Sequence, residues 1–580
     1  MFPEQFRRTA RGPAAVVMWR GLRPRELTSV AAAPRRRPKA GEDAGAPSVR
    51  PHMALTSGSG TPTAQTGCAG VLAGCRRRRR QHAPAVRPAP LCRFLILSAI
   101  LVAALGCAAD PATEQASRPP NVVFILADDL GYGDVGIYGS EIIDTPNIDE
   151  LARGGVRFEA GYVTAAVCSP SRAGLMTGRY PQRQGYEFNP SGRDYGLNPD
   201  ETTLAEVMRS AGYATGAVGK WQLGWGDGKH PLDRGFDEFF GMQSGTIYIE
   251  PSAEGVENWS PLPLAEVRER PIFRGREVVE ESEYLTEVLT REALDFIDRH
   301  HDRPFFLYLA HYAPHTPLQA TAKYLDRYRH IEDPRVRIFA AMVSAVDDSV
   351  GEVRARLREH GVEDDTLIVF LSDNGCAFYL QGGCTNGPLS GGKRWFFEGG
   401  IRVPFLLNWP GKVEPGQVYR PAVSSLDLLP TFAAAAGAPL PEKPLDGVDL
   451  LPYLRGEVDG VPHETLFWRA GPNRAVRRGD WKLWQVNRAS EEQVASLQLL
   501  GALFPDWEAP HGSPLGQLNR LHDLENDVGE RIPLADDEQV VLEELQRALD
   551  AWESELVEPR WWSNRGTAGT VDDEAIELIF

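Results

Sequence analysis

Two pairs, Asp128-Asp129 and Asp373-Asn374, each follow a short apolar run and offer only oxygen ligands. Hard oxygens without Cys or clustered His favour calcium or magnesium over zinc. His311 and His315 have the four-residue spacing of a helical zinc pair, but Pro314 and Pro317 argue against a helix there, and so against zinc. One such pair alone reads as a cap or turn; two at one sheet edge would form a cation site. The sharpest feature is Cys168-Ser-Pro-Ser-Arg172-Ala-Gly-Leu-Met-Thr-Gly178. A lone Cys is ordinarily a small buried hydrophobe. At a helix start, however, its thiol pKa is expected to be depressed and an anion is welcomed. Arg172 stands one turn on, on the same side. Lys220, after Gly219, and Lys393, after Gly391-Gly392, add two cations that would each read as surface lysines in isolation.

The elements that must hold these residues read as strands and helices in alternation. Asn121 to Ala127 is a continuous apolar run, the pattern of a strand buried on both faces. Tyr213 to Val218, Pro304 to Ala310 and Thr366 to Leu371 read as further strands, and a long helix through Phe339, Val343, Val346, Val350 and Leu357 precedes the last. Thr145-Pro146 opens a shorter helix that Gly154-Gly155 stops. Such alternation predicts a parallel sheet covered by helices, with ligands beyond the carboxyl ends of its strands. All four strands end there in polar residues, and four such endings together predict an active site.

After about Pro452 the pattern changes to short strands at Trp481 to Trp484 and Leu521 to Asp527 and a helix from Val540 to Trp552. The expected fold is α/β: a large, mostly parallel sheet sandwiched by helices over 118–451, with a smaller antiparallel sheet plus helix over 452–580.

The 580 residues carry 62 basic and 79 acidic side chains, a net charge of −17. The charge is unevenly spread: residues 1–107 hold 18 Arg and Lys against four acids, leaving 44 against 75 for the rest. So acidic a body excludes a general nucleic-acid binder, which needs a basic face. Residues 1–90, rich in Arg, Pro, Ala, Gly and Ser, read as a low-complexity leader or an over-extended start. Arg93, the apolar run Phe94 to Leu105, and Gly106-Cys107 read as a signal peptide over 91–109, too short for a span of about 20 residues. Ala-Leu-Gly-Cys107 resembles a bacterial lipoprotein cleavage site, which would place a lipid anchor on Cys107; the alternative is a plain cut near Ala109. Export to a periplasmic, membrane-anchored or extracellular location is expected.

From Asn121 to Asp527 the chain resembles the type I sulfatases of the alkaline phosphatase superfamily. The resemblance rests on C-x-P-x-R at Cys168 to Arg172 with Leu175, Thr177 and Gly178, and on Asp128-Asp129, Gly219-Lys220-Trp221, Pro314-His315, Asp373-Asn374-Gly375 and Gly391-Gly-Lys393. It implies that a formylglycine-generating enzyme converts Cys168 to formylglycine. One oxygen of the hydrated aldehyde would attack sulfur, and the other hydroxyl would then expel sulfate. It also implies Ca2+ bound by Asp128, Asp129, Asp373 and Asn374 together with residue 168. Arg172, Lys220 and Lys393 would surround the sulfate, and His315 would protonate the leaving alcohol. The substrate implied is a sulfated small molecule or glycan.

The sequence departs from the family at Gly219-Lys-Trp-Gln222-Leu-Gly224, where the family usually has His in place of Gln222. Gln exchanges hydrogen bonds but takes no proton near neutrality. Cys376 and Cys384 flank a Gly-rich loop beside the implied ligands; a disulfide would stiffen it, and two free thiols are the alternative. Two rival functions stand beside the sulfatase: a phosphonate or phosphate ester hydrolase of the same superfamily, and a catalytically silent binder of sulfated glycans.

Overall fold

In this computed structural model the apolar run Asn121–Ala127 is strand β1, buried along its whole length inside a ten-stranded sheet. The structure describes residues 118–189, 195–261, 264, 271–380, 382–487, 517–562, 566–571 and 574–579. The leader, the signal segment and Cys107 lie outside the described residues.

The other strands of the sheet are β2 (Val156–Phe158), β3 (Ala214–Lys220), β4 (Glu238–Met242), β5 (Ile272–Arg274), β6 (Glu277–Val279), β7 (Phe305–Ala310), β8 (Thr366–Ser372), β9 (Phe405–Asn408) and β10 (Gln417–Tyr419). Their order is β10-β2-β9-β8-β1-β7-β3-β4-β5-β6. Strands β8, β1, β7, β3 and β4 run parallel. Antiparallel β9 and β5 flank this central block. The four strands read from sequence are the adjacent set β8-β1-β7-β3.

Helices cover both faces: α1 (Pro146–Arg153), α2 (Cys168–Thr177), α3 (Leu204–Ser210), α4 (Leu285–His300), α5 (Pro334–Glu359) and α6 (Leu428–Ala436). Side chains alternate across a strand, so β1 feeds two apolar layers. Val123 and Ile125 pack with α1, α4 and α5. Val122, Phe124 and Leu126 pack with α2, α3 and α6. Helix α5 starts where Asp333 accepts a hydrogen bond from the Arg335 N–H, with Pro334 as its first residue.

Register sets the active edge. Ala127 pairs with Ser372, so Asp128 and Asp373 leave neighbouring strands side by side. Gly219 pairs with Ala310, so Lys220 and His311 do likewise. Gly219 has φ 110°, and a Cβ there would collide with the Ala310 carbonyl.

Toward the C-terminus β11 (Thr465–Ala470), β12 (Asn473–Arg478), β13 (Trp481–Asn487) and β14 (Gln517–Asp523) form an antiparallel four-stranded sheet. Helix α7 (Gln539–Glu553) packs Leu542, Leu545, Leu549 and Trp552 on one face, against Val476, Leu483 and Leu521. The other face sets Trp468 and Trp484 against Tyr162 and against Phe396, Phe397 and Ile401 of the segment that follows Lys393. No helix among the described residues is long and apolar enough to cross a membrane.

Candidate active site

Cys168 is the first residue of α2 and is buried at the carboxyl edge of the sheet. Its Sγ lies 3.5 Å from Asp128 Oδ1, 3.8 Å from Asp129 Oδ1 and 3.0 Å from Lys393 Nζ. Gly178, at φ 64°, ends the helix with its N–H on the Gly174 carbonyl. The Ser169 N–H donates to Asn189 Oδ1 at 3.1 Å. Ser169 Oγ donates to the Gln222 carbonyl at 2.5 Å and, with its one hydrogen used, accepts from Tyr186.

Each carboxylate meets a cation. Lys393 Nζ donates to Asp129 Oδ1 at 2.6 Å and Oδ2 at 2.9 Å. Lys220 Nζ donates to Asp128 Oδ2. Arg172 lies wholly beneath the site: Nε donates to Asp373 Oδ2 at 2.9 Å, Nη2 to Asp128 Oδ2 at 3.1 Å and Nη1 to the Lys220 carbonyl at 2.8 Å. It therefore braces Asp128 and Asp373. His315 Nδ1 faces the Thr316 carbonyl at 2.6 Å, an acceptor only, so Nδ1 carries hydrogen, while Nε2 stands 3.5 Å from Asp129 Oδ2.

The oxygen donors here, rather than the Cys168 sulfur or the His315 nitrogen, suit a hard cation. Oxygens of Asp128 and Asp129, the Cys168 sulfur and a His315 nitrogen lie within 4.8 Å of one another. Asn374 donates its amide N–H to Asp129 Oδ1 at 2.7 Å, which leaves Oδ1, buried and without a hydrogen-bond partner, as an oxygen donor. A buried acceptor left unmatched costs free energy that a bound cation removes. Cys376 and Cys384 form a disulfide inside the loop between Asn374 and Lys393, so the two-thiol alternative does not hold.

Burial would raise Asp128 and Asp129, but Lys220 and His315 for Asp128, and Lys393 and His315 for Asp129, hold both below the usual carboxylate range. Burial and then Asp128 lift Asp373 to about 6, against the pull of Arg172. Burial, with Asp373 next, pushes the Cys168 thiol up, so the depressed thiol expected at a helix start is not found; desolvation outweighs the helix N-terminus. Burial also lowers His315 to about 4.

Sequence reading misses the aromatic and strained parts of the site. Tyr308 hydroxyl accepts from Arg172 at 3.3 Å, and Tyr379 hydroxyl donates to Asp129 Oδ2 at 3.4 Å. Tyr312 stacks on His315 and carries Lys220 Nζ 5.3 Å from its ring centroid. Asp129, Gln222 and Arg394 have φ of 66°, 57° and 81°, three of the four positive values at non-glycine residues among the described residues. A motif search finds the first two but gives no signal for Arg394 or for Asn189.

Three carboxylates, three cations and a thiol gathered at one helix start define a centre built to hold and attack an oxyanion. Residues 120–438 match the Sulfatase family. N-acetylgalactosamine-6-sulfatase of Mus musculus is 34% identical over 495 residues, covering 80% of this chain and 90% of its own. Arylsulfatase A of Bos taurus is 36% identical over 461 residues, covering 75% and 87%. The crystal structure of Ps i-CgsB in complex with k-i-k-neocarrahexaose has a TM-score of 0.65 at 35% identity, covering 77% of this chain and 95% of that one. The chain belongs to the sulfatase family and is an enzyme that hydrolyses sulfate esters.

Proposed function

We propose that the chain releases inorganic sulfate from a sulfated saccharide, with formylglycine made from Cys168 as nucleophile and Ca2+ held by Asp128, Asp129, Asp373 and Asn374. The observation that carries this reading is the placement of Cys168 Sγ 3.0 Å from Lys393 Nζ, inside the carboxylate cluster that contains Asp128. The saccharide is supported by relatives named for N-acetylgalactosamine 6-sulfate and by a similar structure bound to neocarrahexaose. Export through 91–109, with a lipid on Cys107 and maturation by a formylglycine-generating enzyme, belongs to the same reading. So does the division into 118–451 and 452–580.

Calcium, when bound, would supply positive charge to a sulfate oxygen. Lys393 and Lys220 place ammonium groups where charge grows on the sulfate and leaving oxygens. Arg172 holds Asp128 and Asp373 in position. His315 rests neutral, with Nε2 toward the site; an arriving anion raises its proton affinity, so it donates to the leaving alcohol from the loaded site. Gln222 orients the nucleophile by a hydrogen bond.

The test uses protein made with a formylglycine-generating enzyme, assayed on 4-nitrophenyl sulfate, phosphate and phosphonate esters, with peptide mass spectrometry at residue 168. Sulfate release by protein carrying the aldehyde is expected. Full activity with only the thiol would overturn the nucleophile, and preferred turnover of phosphate or phosphonate would overturn the substrate class.

A further inference from the structure

The side chains of the site divide by depth. Asp128, Asp129, Cys168, Arg172, Lys220, Asp373, Asn374 and Lys393 are buried, whereas Gln222, His315, Tyr379 and Arg394 are partly open. The scissile sulfate belongs to the buried set and the rest of the substrate to the rim. Arg394 brings a guanidinium to that rim.

Its backbone is held in a conformation that a branched or long side chain avoids, at φ 81°. The turn is clamped on both sides: the Lys393 N–H donates to the Cys376 carbonyl at 2.9 Å and the Arg394 N–H to the Ala166 carbonyl at 2.7 Å. Backbone strain that neighbours enforce in this way clusters at ligand sites. Here it sends one side chain to a carboxylate and the next to the tyrosine beside it. Lys393 reaches Asp129 directly, and the Arg394 guanidinium lies 5.6 Å from the centroid of Tyr379, whose hydroxyl donates to Asp129. Glycine would occupy the same turn without strain. A guanidinium beside an aromatic ring carries a planar set of N–H groups that can bind a carboxylate or sulfate by two hydrogen bonds.

We infer that Arg394 is a specificity-determining residue that binds a second anionic substituent of the substrate, a carboxylate or a further sulfate, beyond the sulfate that is cleaved. The inference rests on the sulfatase reading of the site. In a chain with 44 basic against 75 acidic residues after position 107, a cation at the rim also draws an anionic saccharide into a site that the body's charge would repel.

The experiment compares wild type, Arg394→Gly and Arg394→Lys on 4-nitrophenyl sulfate, a neutral monosulfated disaccharide, a disulfated one and a monosulfated one containing a uronate. For Arg394→Gly, the preference for the substrate with the second anion over the neutral monosulfated disaccharide should fall by about 10- to 100-fold in kcat/KM, mainly through KM. The melting temperature should hold or rise as the strained turn relaxes. Arg394→Lys should keep part of the preference. The disulfated and uronate arms tell which anion is read. Calorimetric affinity of the same saccharides for Cys168→Ala protein, with and without Arg394→Gly, gives the same comparison without turnover. Loss of 4-nitrophenyl sulfate hydrolysis by the wild type would sink the reading of the site. Equal affinities with and without Arg394→Gly, or equal losses on all saccharides, would sink this inference.

Discussion

Lys393 Nζ stands 3.0 Å from Cys168 Sγ, across 225 positions of sequence, while donating to both oxygens of Asp129. One ammonium thus touches the proposed nucleophile position and the carboxylate beside it. Lys393→Met should lower kcat for sulfate release by about 10²–10³, the loss typical of removing a donor aimed at developing charge. A loss below tenfold, in protein with verified formylglycine, would place Lys393 outside the reaction.

The orphaned Asn374 Oδ1 and the neighbouring carboxylates of Asp128 and Asp129, with Asp373 held beside them by the Asp129 N–H, predict that metal binding stabilises the fold. Chelation should lower the melting temperature, and Ca2+ should restore it where Zn2+ does not. At a Ca2+ concentration about 100 times Kd the gain should be about 2.7 kcal/mol. Asp373→Ala should abolish that gain together with activity. Equal restoration in this variant would overturn the ligand set.

The four-stranded sheet reaches the segment that follows Lys393 through a buried ion group. Lys482 Nζ lies 3.0 Å from Glu398 Oε1 and 2.9 Å from Glu530 Oε1, all of them buried. Lys482→Met should destabilise the protein by about 3–5 kcal/mol in urea unfolding, because two carboxylates lose a shared cation. Adding Glu530→Gln should recover part of the loss. Glu398 keeps Arg402 at 3.2 Å and the Tyr162 hydroxyl at 2.6 Å. No recovery would show that the strain lies elsewhere.

His463 gives a pH signature away from the active site. Its Nε2 lies 2.7 Å from Asp427 Oδ1, which also accepts the Val448 N–H. Burial would lower its pKa, yet Asp427 and then Asp446 raise it above the ordinary value. The group therefore adds stability that is fully present below the unfolded pKa of about 6.5 and is lost as pH rises through the folded value. The difference in unfolding free energy between wild type and His463→Gln should shrink from about pH 6 to about pH 9. A flat or growing difference would contradict the pairing.

Sequence shows the centre of this fold better than its margins. Strands β1, β7 and β8 are buried on both faces and each carries a long apolar run that can be read in isolation, whereas β3, equally buried, mixes Thr215, Gly216 and Gly219 into its run. Strands β2, β5, β6, β9 and β10 span three or four residues, too short for any periodicity to declare them. The same contrast runs through the site. Cys168, Asp128 and Lys393 are marked by the motifs around them, whereas the stance of Arg172 beneath the carboxylates depends on register. The direction of the Cys168 thiol shift depends on desolvation, which no local pattern reports, and Arg394 depends on a turn whose φ is set by partners at Cys376 and Ala166.

Gln222 stands where the family resemblance would put a histidine. Its backbone is held at φ 57° by a 2.7 Å hydrogen bond from its N–H to the Gln243 carbonyl, and its carbonyl is fixed by Ser169, the residue after the nucleophile. Its side-chain Oε1 is buried without a hydrogen-bond partner, an acceptor suited to a hydroxyl on residue 168. Gln takes no proton near neutrality, so it contributes orientation alone, worth about 1 kcal/mol or about fivefold in rate. Lys393, 3.0 Å from the Cys168 sulfur, favours an anionic oxygen at the same position and so reduces the need for a base. Wild type should therefore hydrolyse a sulfate ester, Gln222→Ala should be about fivefold slower, and Gln222→His should add an imidazole titration to the profile of kcat/KM against pH. A dead wild type with verified formylglycine and bound metal, brought to life by Gln222→His, would overturn this account in favour of a glycan-binding role.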